Sequence, residues 1–283
     1  MKPLKWAPET KKISRRSLDK DTPKINFLPS MNVIRYISLI LLLVLSGGLQ
    51  DKAKAQFEGE INFLLQDLNA AGQATTIDLV FTDDRISIES SGRLDVMPGL
   101  SANSVLVRND ESDFLFRTGP REAYQIAKSD IDALINLINR VQGRDANTQQ
   151  TGFKWSESVK ETGNTRVIHG YESKEFVLLR DGVNERISVW LTEGIRVNWG
   201  LLEETWHTTG ARQLDEEIPV ELIMNRNSFP LLIEVFSGEN VNYRVESVSV
   251  KTSDFNVNKT ETSSDTEILG LSDLMMNMIR QGR

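Results

Sequence analysis

Cysteine is absent from all 283 residues. That absence removes disulfides, a thiol nucleophile, zinc held by thiolates and the cysteine that carries the lipid of a lipoprotein. Histidine is scarce: His169 and His207 are the only two, and neither has a second histidine at metal-ligand spacing. The HExxH type of zinc site is thereby excluded. No GxSxG elbow, phosphate-cradling P-loop or GxGxxG turn occurs, and Ser101 lacks the second glycine that an elbow requires. No cofactor, metal or catalytic residue is expected from these absences, and the expectation is a non-enzymatic protein. Long apolar runs are missing too. The run Tyr36 to Leu45 falls short of the ~20 residues that cross a bilayer as a helix.

That short run has a different meaning in its setting. Met31 and Arg35 precede it, and Ala53-Lys54-Ala55 follows. A basic front, an apolar stretch and small residues before a cut make a secretory signal peptide, here residues 31–55 with Gln56 as the new N-terminus. The expectation is an exported protein, periplasmic or extracellular, of a Gram-negative bacterium. Residues 1–30 are basic and polar and read as a disordered extension or an over-long start, outside the fold. Losing residues 1–55 takes away 11 basic and 4 acidic residues, which moves the net charge from −7 to −14. A strongly acidic domain repels polyanions, so nucleic acid is not an expected partner.

The remainder, 56–283, reads as a single β-rich domain. Apolar residues alternate with polar ones at Phe57-Gly59-Ile61-Phe63, Ile77-Leu79-Phe81, Ile86-Ile88, Val105-Val107, Phe114-Phe116 and Tyr124-Ile126. Period two marks half-buried strands, and turn residues such as Asp83-Asp84 and Asn109-Asp110 separate them. The spacing predicts a meander over 56–127, a helix over 129–143, a second strand set over 153–250 (Phe153 to Glu161, Thr165 to Ile168, Phe176 to Leu179, Ile187 to Leu191, Pro219 to Met224, Leu231 to Phe236 and Val241 to Val250) and a C-terminal helix over 267–280. Leu271, Leu274, Met275 and Met278 would share one side of the last helix. The stretch 194–217 reads as a loop with a short helix from Leu201 to Trp206. The expected class is mainly β (α+β): a curved antiparallel sheet, half-barrel-like, with one or two packed helices.

Residues 159–179 and 187–195 carry a resemblance. Gly170, Tyr171, Ser173, Lys174, Phe176, Trp190, Leu191 and Thr192 resemble the strand motifs of domain-of-unknown-function family 4412, a group of secreted bacterial proteins. The strand pattern is also similar to the LolA/LolB-like lipoprotein carriers. The resemblance implies an open curved sheet around an apolar hollow, and no assigned activity.

Candidate site residues follow from bulk and position. Tryptophan pairs a large apolar body with one N–H donor, which suits both cores and binding hollows. Trp190, Trp199, Trp206 and Phe176 are the candidate hydrophobic lining. Trp190 points away from the face of Ile187, Val189 and Leu191, so both faces there need cover. Asp110, Glu111 and Asp113 group oxygens on one turn, without the EF-hand spacing, and read as a solvated hairpin. The function expected is a periplasmic binding or carrier module for a lipid or other hydrophobic ligand, such as a hydrophobic peptide. The alternative is an envelope structural module that docks a protein partner through its sheet edge or acidic surface.

Overall fold

The computed structural model describes residues 56–69, 74–97, 100–131, 159–179, 185–202 and 228–281. They form twelve strands and one α-helix: β1 (Gly59–Asp67), β2 (Ala74–Phe81), β3 (Arg85–Met97), β4 (Leu100–Arg108), β5 (Asp113–Gly119), β6 (Glu122–Ala127), β7 (Val159–Ile168), β8 (Tyr171–Leu179), β9 (Glu185–Thr192), β10 (Phe229–Ser237), β11 (Asn240–Lys251), β12 (Glu267–Leu269) and α1 (Leu271–Gln281). All twelve strands belong to one open, curved sheet in the order β12-β6-β5-β4-β3-β2-β1-β11-β10-β9-β8-β7. Neighbours are antiparallel except β12 and β6. Two meanders, β1 to β6 and β7 to β11, are joined where β1 pairs with β11. The mainly β, antiparallel expectation holds, with one packed helix among the described residues.

Alternation decides what each face buries. Ile61, Phe63, Ile77, Leu79, Phe81, Ile86 and Ile88 from the first meander share the inner face with Phe176, Leu178, Val189, Leu191 and Ile233 from the second. Each such side chain contributes about 1.5–3 kcal/mol by leaving water. Segment 193–202 and α1 help to cover this face, since Ile195, Trp199, Leu201, Leu202 and Leu274 join the same cluster. Trp199 stacks on Phe229 at 6.0 Å with rings 4° from parallel, and meets Phe81 edge-on at 5.8 Å. Gly200 allows the approach that holds this segment down. A Cβ there would lie 2.3 Å from Asn109 Oδ1, the atom that accepts the N–H of Leu201.

The outer face differs between the two meanders. In the first, Val80, Ser87, Leu106, Leu115 and Ala123 are wholly buried. The polar stretch after β11 straps across them, with a 3-10 turn at Val257–Thr260 that touches β2 and β3. One cross-strand row, Asp78, Glu89, Ser104 and Arg117, lies beneath. Lys259 Nζ reaches Asp78 at 3.0 Å and Glu89 at 3.1 Å, and Arg117 donates to the carbonyl of Glu261 at 2.6 Å. In the second meander the outer face carries Glu175, Glu234, Arg244 and the half-buried Trp190.

Two boundaries differ from the sequence reading. Val159–Ile168 is one strand rather than two pieces, because a bulge between Glu161 and Thr165 carries it past Gly163. At the C-terminus, Glu267–Leu269 pairs in parallel with β6 before the helix begins at Leu271. The open edge of β6 captures those residues, and Glu267 N–H bonds Arg121 C=O at 2.8 Å. The expected helix 129–143 lies outside the described residues beyond Ile131, as do Phe153–Glu157 and Pro219–Met224. Among the described residues no helix is long and apolar enough to cross a membrane.

Candidate binding site

A pocket of about 410 Å³ opens where β7, β8 and β9 come together, lined by Glu161, Glu172, Lys174, Phe176, Leu191, Thr192, Glu193, Gly194 and Ser228. Register explains the set. Glu172, Lys174 and Phe176 alternate along β8 and so share a face. Lys174 stands opposite Leu191 on β9, and Glu161 on β7 stands opposite Phe176. The turn after β9 adds Glu193 and Gly194, fixed by a Gly194 N–H bond to Thr192 Oγ1 at 3.1 Å. Ser228 enters from the residue just before β10. Phe176 and Leu191 belong to the core, each 3 % exposed, and bring its apolar surface to the pocket. Glu161, Glu172 and Glu193 are exposed. Lys174 Nζ is 3.9 Å from Glu193 Oε1, an exposed pair.

Of the four residues that the sequence offered as lining, the three that are described do not come together. Phe176 lines the pocket. Trp199 sits in the aromatic stack with Phe229 and Phe81. Trp190 is on the outer face, as its alternation with Val189 and Leu191 requires, and the Arg166 guanidinium lies 4.9 Å from its ring centre. Trp206 lies outside the described residues. The charged residues of the pocket were not among the candidates. Their signal is present in β8, where the face that reads apolar at Leu178 and Phe176 turns charged at Lys174 and Glu172. That change marks where the core stops and the opening starts.

The remaining polar groups are engaged elsewhere. Asp110 makes a bidentate contact with Arg85, whose guanidinium holds that carboxyl below the usual carboxylate range. Asp113 pairs with Arg108, and Glu111 contacts both arginines. This turn is a knot of ion pairs. His169 and Gly170 form the β7–β8 turn with φ of 51° and 85°, the left-handed pair that a tight hairpin requires. His169 Nε2 donates to the carbonyl of Ser247 on β11 at 2.6 Å, so the sheet curls enough for the hairpin tip to reach that strand. His207 lies outside the described residues. On the outer face, burial raises the carboxyl of Glu175, but bonds from Ser188, Asn164 and Thr162 at 2.7–2.8 Å outweigh it and leave it below its ordinary value.

No protein-family model matches the chain, and no curated protein matches it. Among solved structures, PNGF-II is similar over 80 % of this chain and 33 % of its own, at 12 % identity and a TM-score of 0.39. The chain therefore spans about a third of the length of PNGF-II. A second crystal form of PNGF-II gives 13 % identity and a TM-score of 0.37. A LolA superfamily protein from Nitrosomonas europaea is similar over 80 % of this chain and 96 % of its own, at 8 % identity and a TM-score of 0.23.

Proposed function

We propose that the protein is an exported, non-enzymatic binding module that holds a small hydrophobic or amphiphilic ligand in the pocket over Phe176 and Leu191. The pocket carries the reading. It has room for about 410 Å³ of ligand, within the range of small-molecule sites, and two residues of the apolar core, Phe176 and Leu191, line it. Four of the residues in the motif that resembles family 4412 line it, namely Lys174, Phe176, Leu191 and Thr192. Export rests on the leader at 31–55. The decisive experiment purifies the protein from its native host and extracts it for mass spectrometry. A stoichiometric lipid or other amphiphile is the expected result, and an intact fold with nothing bound overturns the reading. N-terminal sequencing of the same material is expected to begin at Gln56.

One observation favours a second reading, docking by strand addition. β7 is last in the sheet order, and eight of its ten residues are exposed, Val167 at 71 %. A strand exposed on both faces at a sheet edge is a template for another chain. Thr165→Pro removes an N–H from that strand. It is expected to weaken a co-purifying protein if the edge is the dock, and to leave ligand content unchanged.

A further inference from the structure

We propose that the tip of the β7–β8 hairpin, residues 165–173, is a flap that forms one wall of the pocket and is held shut by His169. The proposal rests on the binding reading above and adds how a ligand enters. Main-chain pairing stops short of the tip. The β8–β9 ladder begins at Lys174 opposite Leu191, so Tyr171, Glu172 and Ser173 run past it. β7 is last in the sheet order and pairs at the tip with β8 alone. The base of the tip is a pivot. β7 bulges between Glu161 and Thr165, where Gly163 has a φ of 78° and open space around its Cα. A few residues of this kind can absorb the dihedral change of a hinge. Glu175 pins the pivot to β8, accepting from Thr162 Oγ1 at 2.8 Å and from Asn164 Nδ2 at 2.7 Å.

Beyond the pivot, side chains seat the tip on the rest of the sheet. His169 Nε2 donates to the carbonyl of Ser247 at 2.6 Å. The β10–β11 ladder ends at Leu232 opposite Glu246, which places Ser247 just past it. Tyr171, partly buried, lies against Gly194, where a Cβ would come within 2.8 Å of its ring. Arg166 reaches back to the Trp190 ring at 4.9 Å. His169 itself is exposed, so water competes for its imidazole once the tip lifts. A single hydrogen bond of this kind shifts an equilibrium by about fivefold, enough to favour the shut form and little enough to let it open. The tip and its seat both line the pocket, Glu172 on one side and Gly194 beneath Tyr171 on the other. Lifting the tip parts these two and widens the mouth over Phe176 and Leu191.

A chain without cysteine accepts spin labels at chosen positions. Val167→Cys on the tip and Met276→Cys on α1, both exposed, put one nitroxide on the flap and one on the body. Pulsed electron paramagnetic resonance then reads the distance between them. His169→Asn suits the left-handed backbone of that position with a side chain too short for Ser247. It is expected to raise the population of a second distance by about fivefold. Tyr171→Ala, which removes the seat and no pocket residue, is expected to do the same. Stopped-flow fluorescence with the neutral apolar dye N-phenylnaphthylamine tests the gate. In both variants association and dissociation are expected to quicken together by about fivefold, with Kd changed by less than about twofold, because the latch acts with and without ligand and cancels from the affinity. Unchanged distances in both variants overturn the flap. So do changed distances with unchanged rates, and in either case the pocket reading survives. If the dye does not bind wild-type protein whose circular dichroism shows an intact sheet, the pocket reading fails and takes the flap with it.

Discussion

Arg108 and Asp113 are a charged pair enclosed by the end of the β4–β5 hairpin, their side chains 7 % and 4 % exposed. Their bidentate contact at 2.5–2.7 Å is reinforced by Gln125 and by Glu111. Removing Asp113 leaves the enclosed Arg108 leaning on the more exposed Glu111. Asp113→Ala is therefore expected to cost about 3–5 kcal/mol in urea unfolding. The exposed pair of Lys174 and Glu193 obeys the opposite rule, and Lys174→Ala is expected to change stability by less than about 1 kcal/mol. Glu175 is the residue-scale acid sensor. Its native pKa lies below the ordinary value of 4.5 because three donors favour the charged form. A depressed carboxylate contributes stability that is complete above the unfolded value and is lost as pH falls through the native one. The edge strand is thus expected to loosen as pH falls through that depressed native value. Glu175→Gln is expected to abolish that step in the pH dependence of Trp190 fluorescence.

At the scale of elements, period-two alternation made the inner face legible before any coordinates. Ile61 with Phe63, Leu79 with Phe81 and Val189 with Leu191 fall where the pattern put them. The elements that sequence did not show are those that tertiary contacts create. The strap has no hydrophobic period, since it is held by Lys259 on Asp78 and Glu89 and by Arg117 and Arg85 on its carbonyls. β12 is three residues long, too short for a pattern, and exists because β6 offers an open edge. The bulge at Thr162-Gly163-Asn164 interrupts alternation, so β7 read as two strands. The site was half legible for the same reason. Phe176 stands out by its bulk, but Glu161 and Glu193 reach it only through register. Trp199 has the same bulk and went to the core. The strap makes a prediction of its own. Lys259→Met leaves Asp78 and Glu89 opposed across a strand pair, and is expected to destabilise by about 2 kcal/mol. Burial opposes the charge on Lys259, but bonds to Asp78 and Glu89 raise its pKa overall. The wild-type strap is therefore expected to keep this contribution up to the unfolded lysine value and lose it as pH rises through the native one.

Across the whole molecule, the two ends of the sheet are finished differently. The C-terminal segment wraps the β6 end on three sides: the strap on the outer face, β12 along the edge, and α1 inside, where Leu274 enters the core and Asn277 bonds Tyr124 Oη at 2.6 Å. The β7 end has no such wrapping among the described residues, and β7 is held by its pairing with β8, the Glu175 bonds, the Arg166 contact to Trp190 and, at the hairpin tip, the His169 bond to Ser247. Local opening follows burial, so stability is expected to fall along the sheet from β2–β5 toward β7. The pocket lies at the weak end, and Glu161 brings β7 into it. A ligand seated there adds contacts to β7 that the open form lacks, and so must slow its opening. Hydrogen exchange checks this directly. Amides of 159–168 are expected to exchange fastest among the strands, to slow when a ligand is bound, and to lose protection, relative to the free-peptide rate at the same pH, as pH falls and Glu175 takes up a proton. Amides of 79–81 and 104–107, buried on both faces, are expected to respond to none of these changes short of global unfolding. Uniform exchange along the sheet would show that the two ends open together and that the pocket is as rigid as the strapped half.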